Sequence, residues 1–413
     1  MIRRDEKRPI IKGFLFFSLL LMYVVAYNLR IRSNQLLWFG VVGLAAITLF
    51  FVVLMRDKFQ LTFMSKWMFV VYLYFMCSIF WSESHEFVNP LKSLIIIFAV
   101  SILLLSVVNN LKDLKTLIFI NYLAILFSAV YLLFTVDMSA LGEDRLGAML
   151  ETSWNSNNIS TLMCMGFALA LYFLGRSKRL FEKVFLLSTI ALFVGIIFFC
   201  GSRTGLLLML MICVLYLLVR ARGKKKVGAI LISISLIVLV YQLIMNYEPL
   251  YNVLGSRIEE MIDGLLGTSE DGSFNWRELM IQEGWRYFKE KPIFGYGIDN
   301  FRYIFGAKYG FFTYAHNNFI EILVGGGIVG FILYYSIYLY VFKGLWKYAV
   351  KEKEPLAIAI FVINLAKLIS QYSSISYYNM DVYALLAFGV LYIAIREKEK
   401  ANGESSLLFT ASK

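Results

Sequence analysis

Apolar runs about as long as a bilayer core is thick recur through nearly the whole chain, and no other feature restricts its fold so strongly. A helix needs about 20 apolar residues to cross the hydrocarbon core. In lipid its backbone polar groups must be bonded within the segment, so long uncharged runs read as helices. The runs fall at 10–29, 36–55, 66–81, 91–108, 116–135, 157–174, 184–200, 204–219, 227–245, 318–342, 355–372 and 380–395. They predict an all-α polytopic membrane protein of about 12 transmembrane helices, which nearly fill the 413 residues. A hydrophobic share of 60% and a mean hydropathy of +0.70 exclude disorder, a collagen-like chain, a disulfide scaffold and a secreted enzyme. The N-terminus lacks the small-residue cleavage site of a removable signal, so Met1 onward is expected to stay attached.

The net charge of +12 raises the question of nucleic-acid binding, and the placement of the cations answers it. With the N-terminus inside, the cytoplasmic segments 1–12, 56–66, 109–115, 175–183, 220–226, 343–354 and 396–413 hold 27 of the 40 Lys and Arg residues. That is the positive-inside pattern of a multi-pass membrane protein with both termini cytoplasmic. The densest cluster, Arg220, Arg222, Lys224, Lys225 and Lys226, therefore reads as topology and contact with anionic membrane lipid, and no nucleic-acid partner is expected.

One stretch breaks the pattern. Residues 246–317 are hydrophilic, with 7 basic and 10 acidic residues, and are predicted to lie on the extracytoplasmic side. A connection that long inside a compact protein is usually a lid or a binding element. The organisation expected is a bundle over 1–245 (spans one to nine), the extracytoplasmic loop 246–317, spans ten to twelve over 318–395, and a cytoplasmic tail 396–413.

Metal and nucleotide signatures are missing. Cys77, Cys164, Cys200 and Cys213 all fall in predicted spans and read as small core residues. Two histidines do not make a three-ligand zinc site, and neither HExxH nor a phosphate-binding GxxxxGK[ST] occurs. No metal and no cofactor are expected.

Polar chemistry concentrates at the outer boundary. Between spans seven and eight the chain reverses through Gly201-Ser202-Arg203-Thr204-Gly205, which holds Arg203 at the membrane edge. A guanidinium there either binds phosphate oxygens through its planar fork or serves as a snorkelling anchor. In the long loop, Asn275 followed by Glu278 has the spacing of a capping box. It predicts a helix from Asn275 to about Glu290, ended by Lys291-Pro292, with Gly295 and Gly297 marking a turn. Arg277 and Gly284 would be about 700° apart on it and share a face, leaving room beside Arg277. Arg286, about 900° away, would face oppositely, toward solvent or headgroups.

His316, in Tyr314-Ala315-His316-Asn317-Asn318, precedes span ten. The positive end of a helix disfavours imidazolium, and neutral imidazole is the form that accepts a proton. The alternative is a hydrogen-bonded boundary histidine. His85, between Glu83 and Glu86, reads as a solvated loop residue. Lys367 lies just inside the outer end of span eleven and is either functional, as intramembrane lysines commonly are, or snorkelling outward. Trp276, Trp285, Tyr296, Tyr303 and Tyr314 offer stacking surface for sugars or interfacial packing. Gly325, Gly326, Gly327 and Gly330 predict close helix approach behind His316.

Taken as a set, four stretches resemble the O-antigen ligase and polymerase superfamily. They are Gly-Ser-Arg203-Thr-Gly, Arg277-Glu-Leu-Met-Ile-Gln-Glu-Gly-Trp, Lys-Pro-Ile-Phe-Gly-Tyr-Gly-Ile-Asp-Asn-Phe and Ala-His316-Asn-Asn-Phe-Ile-Glu-Ile-Leu-Val-Gly-Gly-Gly-Ile-Val-Gly. The resemblance is densest from about 184 to 331. Arg145-Leu-Gly followed by Asn157-Asn158 is similar to a weaker family element, Arg-x-x-Gly…Pro-Asn, although no proline precedes the asparagine here.

The resemblance implies a GT-C-like membrane glycosyltransferase of the bacterial inner (plasma) membrane. It would work on the outer face by metal-independent, inverting transfer from a polyprenyl-pyrophosphate-linked glycan donor. Arg203 and Arg277 would stabilise the departing pyrophosphate, and His316 would take the acceptor proton. Arg145, Asn317, Arg286 and Lys367 would contribute to substrate binding. The wording is closest to capsule and exopolysaccharide polymerases, whose acceptor is another lipid-linked repeat unit, with a chain-length regulator left open as a partner. The alternative is a ligase that passes the glycan to lipid A core or another terminal acceptor. A lipid-glycan flippase is a third reading. Transporters usually have related halves and a site at the bilayer midplane, whereas this chain has its large loop in one half only.

Overall fold

The computed structural model describes residues 4–27, 40, 43–44, 47–48, 62–84, 88–136, 146, 156–266 and 272–411. Among them every regular element is helical. Most of the predicted span 36–55, His85 and Arg145 lie outside the described residues.

The chain begins with α1 (Arg4–Tyr27), α2 (Phe63–Cys77), extended by a short 3-10 turn to Trp81, α3 (Val88–Val107) and α4 (Leu111–Thr135). It continues with α5 (Ser156–Leu174), α6 (Leu180–Phe199), α7 (Arg203–Arg220) and α8 (Lys225–Asn246). Among the described residues eight helices are long and apolar enough to cross a membrane: Phe63–Trp81, Pro90–Val107, Leu111–Thr135, Ser156–Leu174, Leu180–Phe199, Arg203–Arg220, Lys225–Asn246 and Asn318–Lys351. Two of the predicted spans are shorter apolar helices, Lys12–Val24 and Pro355–Ser370. The last predicted span forms the first half of a longer helix whose second half carries Arg396, Glu397, Lys398, Glu399 and Lys400. The chain is thus an all-α polytopic membrane protein.

Packing separates lining from lipid-facing helices. α5 is the most enclosed of the eight, with Ile159 through Ala170 buried and α6 and α7 packed against it. α8 is peripheral and leaves Leu231 60% and Leu239 67% exposed, as expected for side chains that face acyl chains.

The described residues of 246–317 fold as short helices, as expected. After a π-helical turn at Tyr251–Gly255 come α9 (Ser256–Leu266), α10 (Gly272–Glu290) and α11 (Asn300–Tyr309). α10 ends at Lys291-Pro292, where the missing proline N–H prevents continuation. Its start differs from expectation. The helix begins at Gly272, so Asn275 lies inside the first turn and is not its cap. Asn275 and Trp276 are exposed there, and the side chain intended as a cap faces away from the packed face.

α12 (Asn318–Trp346), α13 (Pro355–Ser370) and α14 (Met380–Ala411) complete the chain. α12 is broken at Gly327, whose φ of 59° and ψ of −165° are open to glycine and costly for other residues. The loop repairs the break. Tyr296 N–H donates to Val324 O (2.8 Å) and Gly297 N–H to Gly325 O (2.9 Å), while Ile328 N–H donates to Pro292 O (2.8 Å). A Cβ on Gly327 would sit 2.3 Å from Ile293 O. The glycine run therefore allows close approach, as expected: Gly326 and Gly330 lie against Tyr74 and Phe75 of α2, while Gly325 and Gly327 meet loop backbone. Met280, Tyr287, Tyr296, Phe301, Phe305, Ala315, Ile320 and Val324 form a separate hydrophobic core that seats α10 and α11 on the start of α12.

Candidate functional site

The site lies at the end of the bundle that carries residues 246–317, where α7 and α12 begin. His316 forms the last turn before α12. Asn317 caps the helix, its Oδ1 accepting from Phe319 N (2.9 Å) and Ile320 N (3.2 Å). The next asparagine anchors the turn from below. Asn318 N–H donates to Gln371 O (2.8 Å), and its Oδ1 accepts from Ser376 N (2.8 Å) and Tyr377 N (2.9 Å). Its Nδ2 donates to Tyr335 Oη (3.0 Å) and Gln371 Oε1 (3.1 Å). Asn318 is fully buried and uses both ends of its amide, the condition under which a buried polar group stabilises.

Held in this way, His316 adopts φ 50°, a left-handed conformation rare outside glycine. Its ring packs on Tyr314 with centroids 4.2 Å apart. Burial, and then the positive charge of Arg277, lower the imidazole pKa from 6.5 to about 4. His316 is therefore neutral near pH 7. The structure brings Arg277 of α10 and His316 into one electrostatic environment.

Gly284, expected to leave room beside Arg277, has a different role. A Cβ there would meet Ile320 Cγ2 at 2.1 Å, so the space is filled by α12. The glycine seats α10 on the first turn of the His316 helix.

Arg203 is the first residue of α7. Ser202 caps that helix, its Oγ accepting from Gly205 N (3.0 Å) and donating to Asn157 Oδ1 (2.6 Å). Arg203 Nη1 donates to Arg257 O (3.2 Å), which ties the turn to α9 and sets a second arginine beside it. Arg145 lies outside the described residues. Its neighbour Leu146 donates its N–H to Phe199 O (3.0 Å), at the end of α6.

Two other expected site residues sit in ion-pair clusters. Arg286 Nη2 lies 2.7 Å from Glu283 Oε2 and its Nη1 2.8 Å from Glu290 Oε1, with the guanidinium over the Tyr287 ring. Lys308 Nζ shares Glu283 at 2.9 Å. Burial alone would raise the Glu283 carboxyl, but the hydrogen bonds from Arg286 and Lys308 outweigh it and hold the pKa at about 2. Lys367, 6% exposed, does not snorkel. Its Nζ is 2.7 Å from Asp381 Oδ2, across α13 and α14.

Sequence reasoning missed Asp299, Arg302 and Glu321. Glu321, 3% exposed, lies in the first turn of α12 and accepts from Ala315 N (2.8 Å). Asp299 and Arg302 both act on it electrostatically. An ionisable residue inside a predicted span was the available signal.

These features define a helical membrane protein with an interrupted helix, a folded loop over its mouth, and a neutral histidine beside an arginine. Residues 188–335, a little over a third of the chain, match the family model described as O-antigen ligase. The match contains Arg203, Arg277 and His316 and supports the O-antigen ligase and polymerase superfamily, whose members are glycosyltransferase-like. Lipid-linked glycan substrates follow from that family at the level of class. A search of curated proteins found no match.

Proposed function

We propose that the chain is a polymerase that joins polyprenyl-pyrophosphate-linked oligosaccharide repeat units on the outer face of the bacterial inner membrane. The observation that supports this reading is the neutral, half-buried His316, under the positive field of Arg277, on a turn within the family match. In the proposed reaction the acceptor hydroxyl loses its proton to an imidazole nitrogen of His316. The hydroxyl oxygen attacks the anomeric carbon from the face opposite the leaving group, and the bond from that carbon to the pyrophosphate oxygen breaks. Negative charge gathers on the departing pyrophosphate, where Arg203 and Arg277 act as preorganised cations. Arg257, beside Arg203, adds to the positive field at that edge.

Arg277 also couples the two halves of the reaction. It holds the imidazole a weak base while no anion is bound. A pyrophosphate placed against Arg277 offsets that charge and makes His316 a stronger base once donor is present.

Arg145 and Asn317 are proposed to line the glycan or lipid-linked acceptor, with Arg286 and Lys367 holding the walls of the pocket through their ion pairs. In this reading the bundle 1–245, the loop 246–317, the three spans of 318–395 and the tail 396–413 act as one enzyme with both termini cytoplasmic, and a chain-length regulator would meet it at the membrane.

The test is to reconstitute the purified protein in liposomes with one lipid-linked repeat unit and no other acceptor. A ladder of lengthening glycans, lost in His316→Ala, is the expected result. The matched family, O-antigen ligase, suggests a second reading, a ligase. Failure to extend, followed by transfer when lipid A core or another terminal acceptor is added, would replace the polymerase with that reading.

A further inference from the structure

Three non-glycine residues with positive φ occur among the described residues, and two of them, Asp299 (61°) and His316 (50°), belong to the loop end of the bundle. Such conformations are costly and persist only where the surroundings over-determine them. Glu321 connects the two. Its Oε2 accepts the N–H of Ala315, the residue before His316, at 2.8 Å, while Asp299, the residue that begins α11, acts on the same carboxyl through space. Its own N–H closes the first turn of α12 onto Asn317 O (2.9 Å). One residue thus grips the His316 turn from both sides of the strained position.

The remainder of the cluster is unusual for a buried site. Glu321 Oε1 and Arg302 Nε are buried without a hydrogen-bond partner among the described residues, as are Ser376 Oγ and Tyr377 Oη nearby. Buried polar atoms are costly when unsatisfied, so a carboxyl in the first turn of a membrane helix is a poor choice for stability alone. An apolar residue would fill the same volume without that cost. What an apolar residue does not supply is an acceptor for Ala315 N–H.

We infer that Glu321 is a positioning residue, which holds His316 in its left-handed conformation, aimed at the acceptor, through the Ala315 N–H. This rests on the role proposed above for His316. A misplacement of the base by about 1 Å can cost on the order of 10²-fold in rate, and it acts on the chemical step rather than on donor binding.

The test uses the full-length protein in liposomes with the lipid-linked repeat unit. Glu321→Gln keeps an oxygen for Ala315 N–H but cannot ionise; Glu321→Met keeps the length and removes the acceptor. Glu321→Met is expected to lower kcat at least about 10-fold with the apparent KM for the donor within about 3-fold, while Glu321→Gln stays within about 3-fold of wild type. Hydrogen exchange of the 312–320 segment should rise in Glu321→Met and not in Glu321→Gln, with 280–305 unchanged in both. Wild-type turnover in Glu321→Met would overturn the proposal. So would equal losses in the two variants, which would assign the role to the carboxyl's charge or proton. If Glu321→Met does not insert, normal turnover with raised exchange of that segment in Glu321→Gln overturns it in the same way. Full activity of His316→Ala would instead overturn the function proposed for His316, and the exchange result at Ala315 would still decide whether Glu321 holds the turn.

Discussion

Arg277 and His316 are thirty-nine residues apart, yet the guanidinium of one weakens the basicity of the other. The proposed base and the cation proposed for an anionic leaving group are thus held close enough for the cation to alter the base's chemistry. Four consequences can be measured.

The first concerns pH. His316 is proposed to act as neutral imidazole, so activity falls as pH drops through its pKa. With that pKa at about 4, kcat/KM should be flat from pH 7 to 5 and lose an acidic limb only near 4. Arg277→Gln should move the limb upward but leave it below 6.5, because burial is the larger cause of the depression. The kcat profile should show a higher limb than kcat/KM, since bound pyrophosphate offsets Arg277. Identical limbs in wild type and Arg277→Gln would remove the coupling.

Lys367 and Asp381 distinguish wall from site. Removing one partner of a buried ion pair costs about 3–5 kcal/mol, whereas replacing both with matched neutral residues is often tolerated. Lys367→Met and Asp381→Asn should each lower thermal stability in detergent, and the double variant should recover much of it. Recovery of glycan transfer together with stability means Lys367 serves as a structural wall. Recovery of stability without activity assigns Lys367 a direct contact with substrate.

Gly284 gives a packing prediction. Gly284→Ala places a methyl against Ile320 Cγ2 at 2.1 Å, and overpacking of this kind typically costs about 1–3 kcal/mol. Ile320→Ala should relieve that conflict, so the double variant is expected to be less impaired than the two single losses added together. Simple additivity, measured by unfolding in detergent, would show that the two residues do not press on each other.

Asn318 should be the most sensitive polar residue beneath the site. Asn318→Leu strands the amides of Ser376 and Tyr377, while Gln371 Oε1 keeps the hydroxyl of Tyr335, at about 1–3 kcal/mol for each buried group left unsatisfied. The expected result is loss of folded protein in the membrane fraction or a large fall in melting temperature. Wild-type stability would mean that the 371–379 connection does not depend on this anchor.

The polytopic class, the long loop and its short helices, the stop at Lys291-Pro292 and the motif residues Arg203, Arg277 and His316 were legible along the chain. Each depends on local chemistry: apolar length, a missing proline N–H, or a polar residue at the edge of an apolar run. The exact number of crossings was less legible, because composition finds apolar length while packing decides where a helix stops. α14 shows this by running beyond its apolar half into a charged one.

The long-range relationships needed the folded chain. Nothing in the spacing of Gly284 indicated that Ile320 would fill its place, or that Pro292–Gly297 would supply the backbone bonds missing at the break in α12. Lys367 met Asp381 because α13 and α14 run side by side, and Arg286 was turned to Glu283 and Glu290 on its own helix. Along the chain Glu321 is one acid in an apolar run; folding puts Ala315 N–H and Asp299 around it. Local energies along the chain depend on neighbours in sequence and can be read there. Burial, electrostatic coupling and hydrogen-bond satisfaction depend on neighbours in space, and those arise only when distant segments have packed.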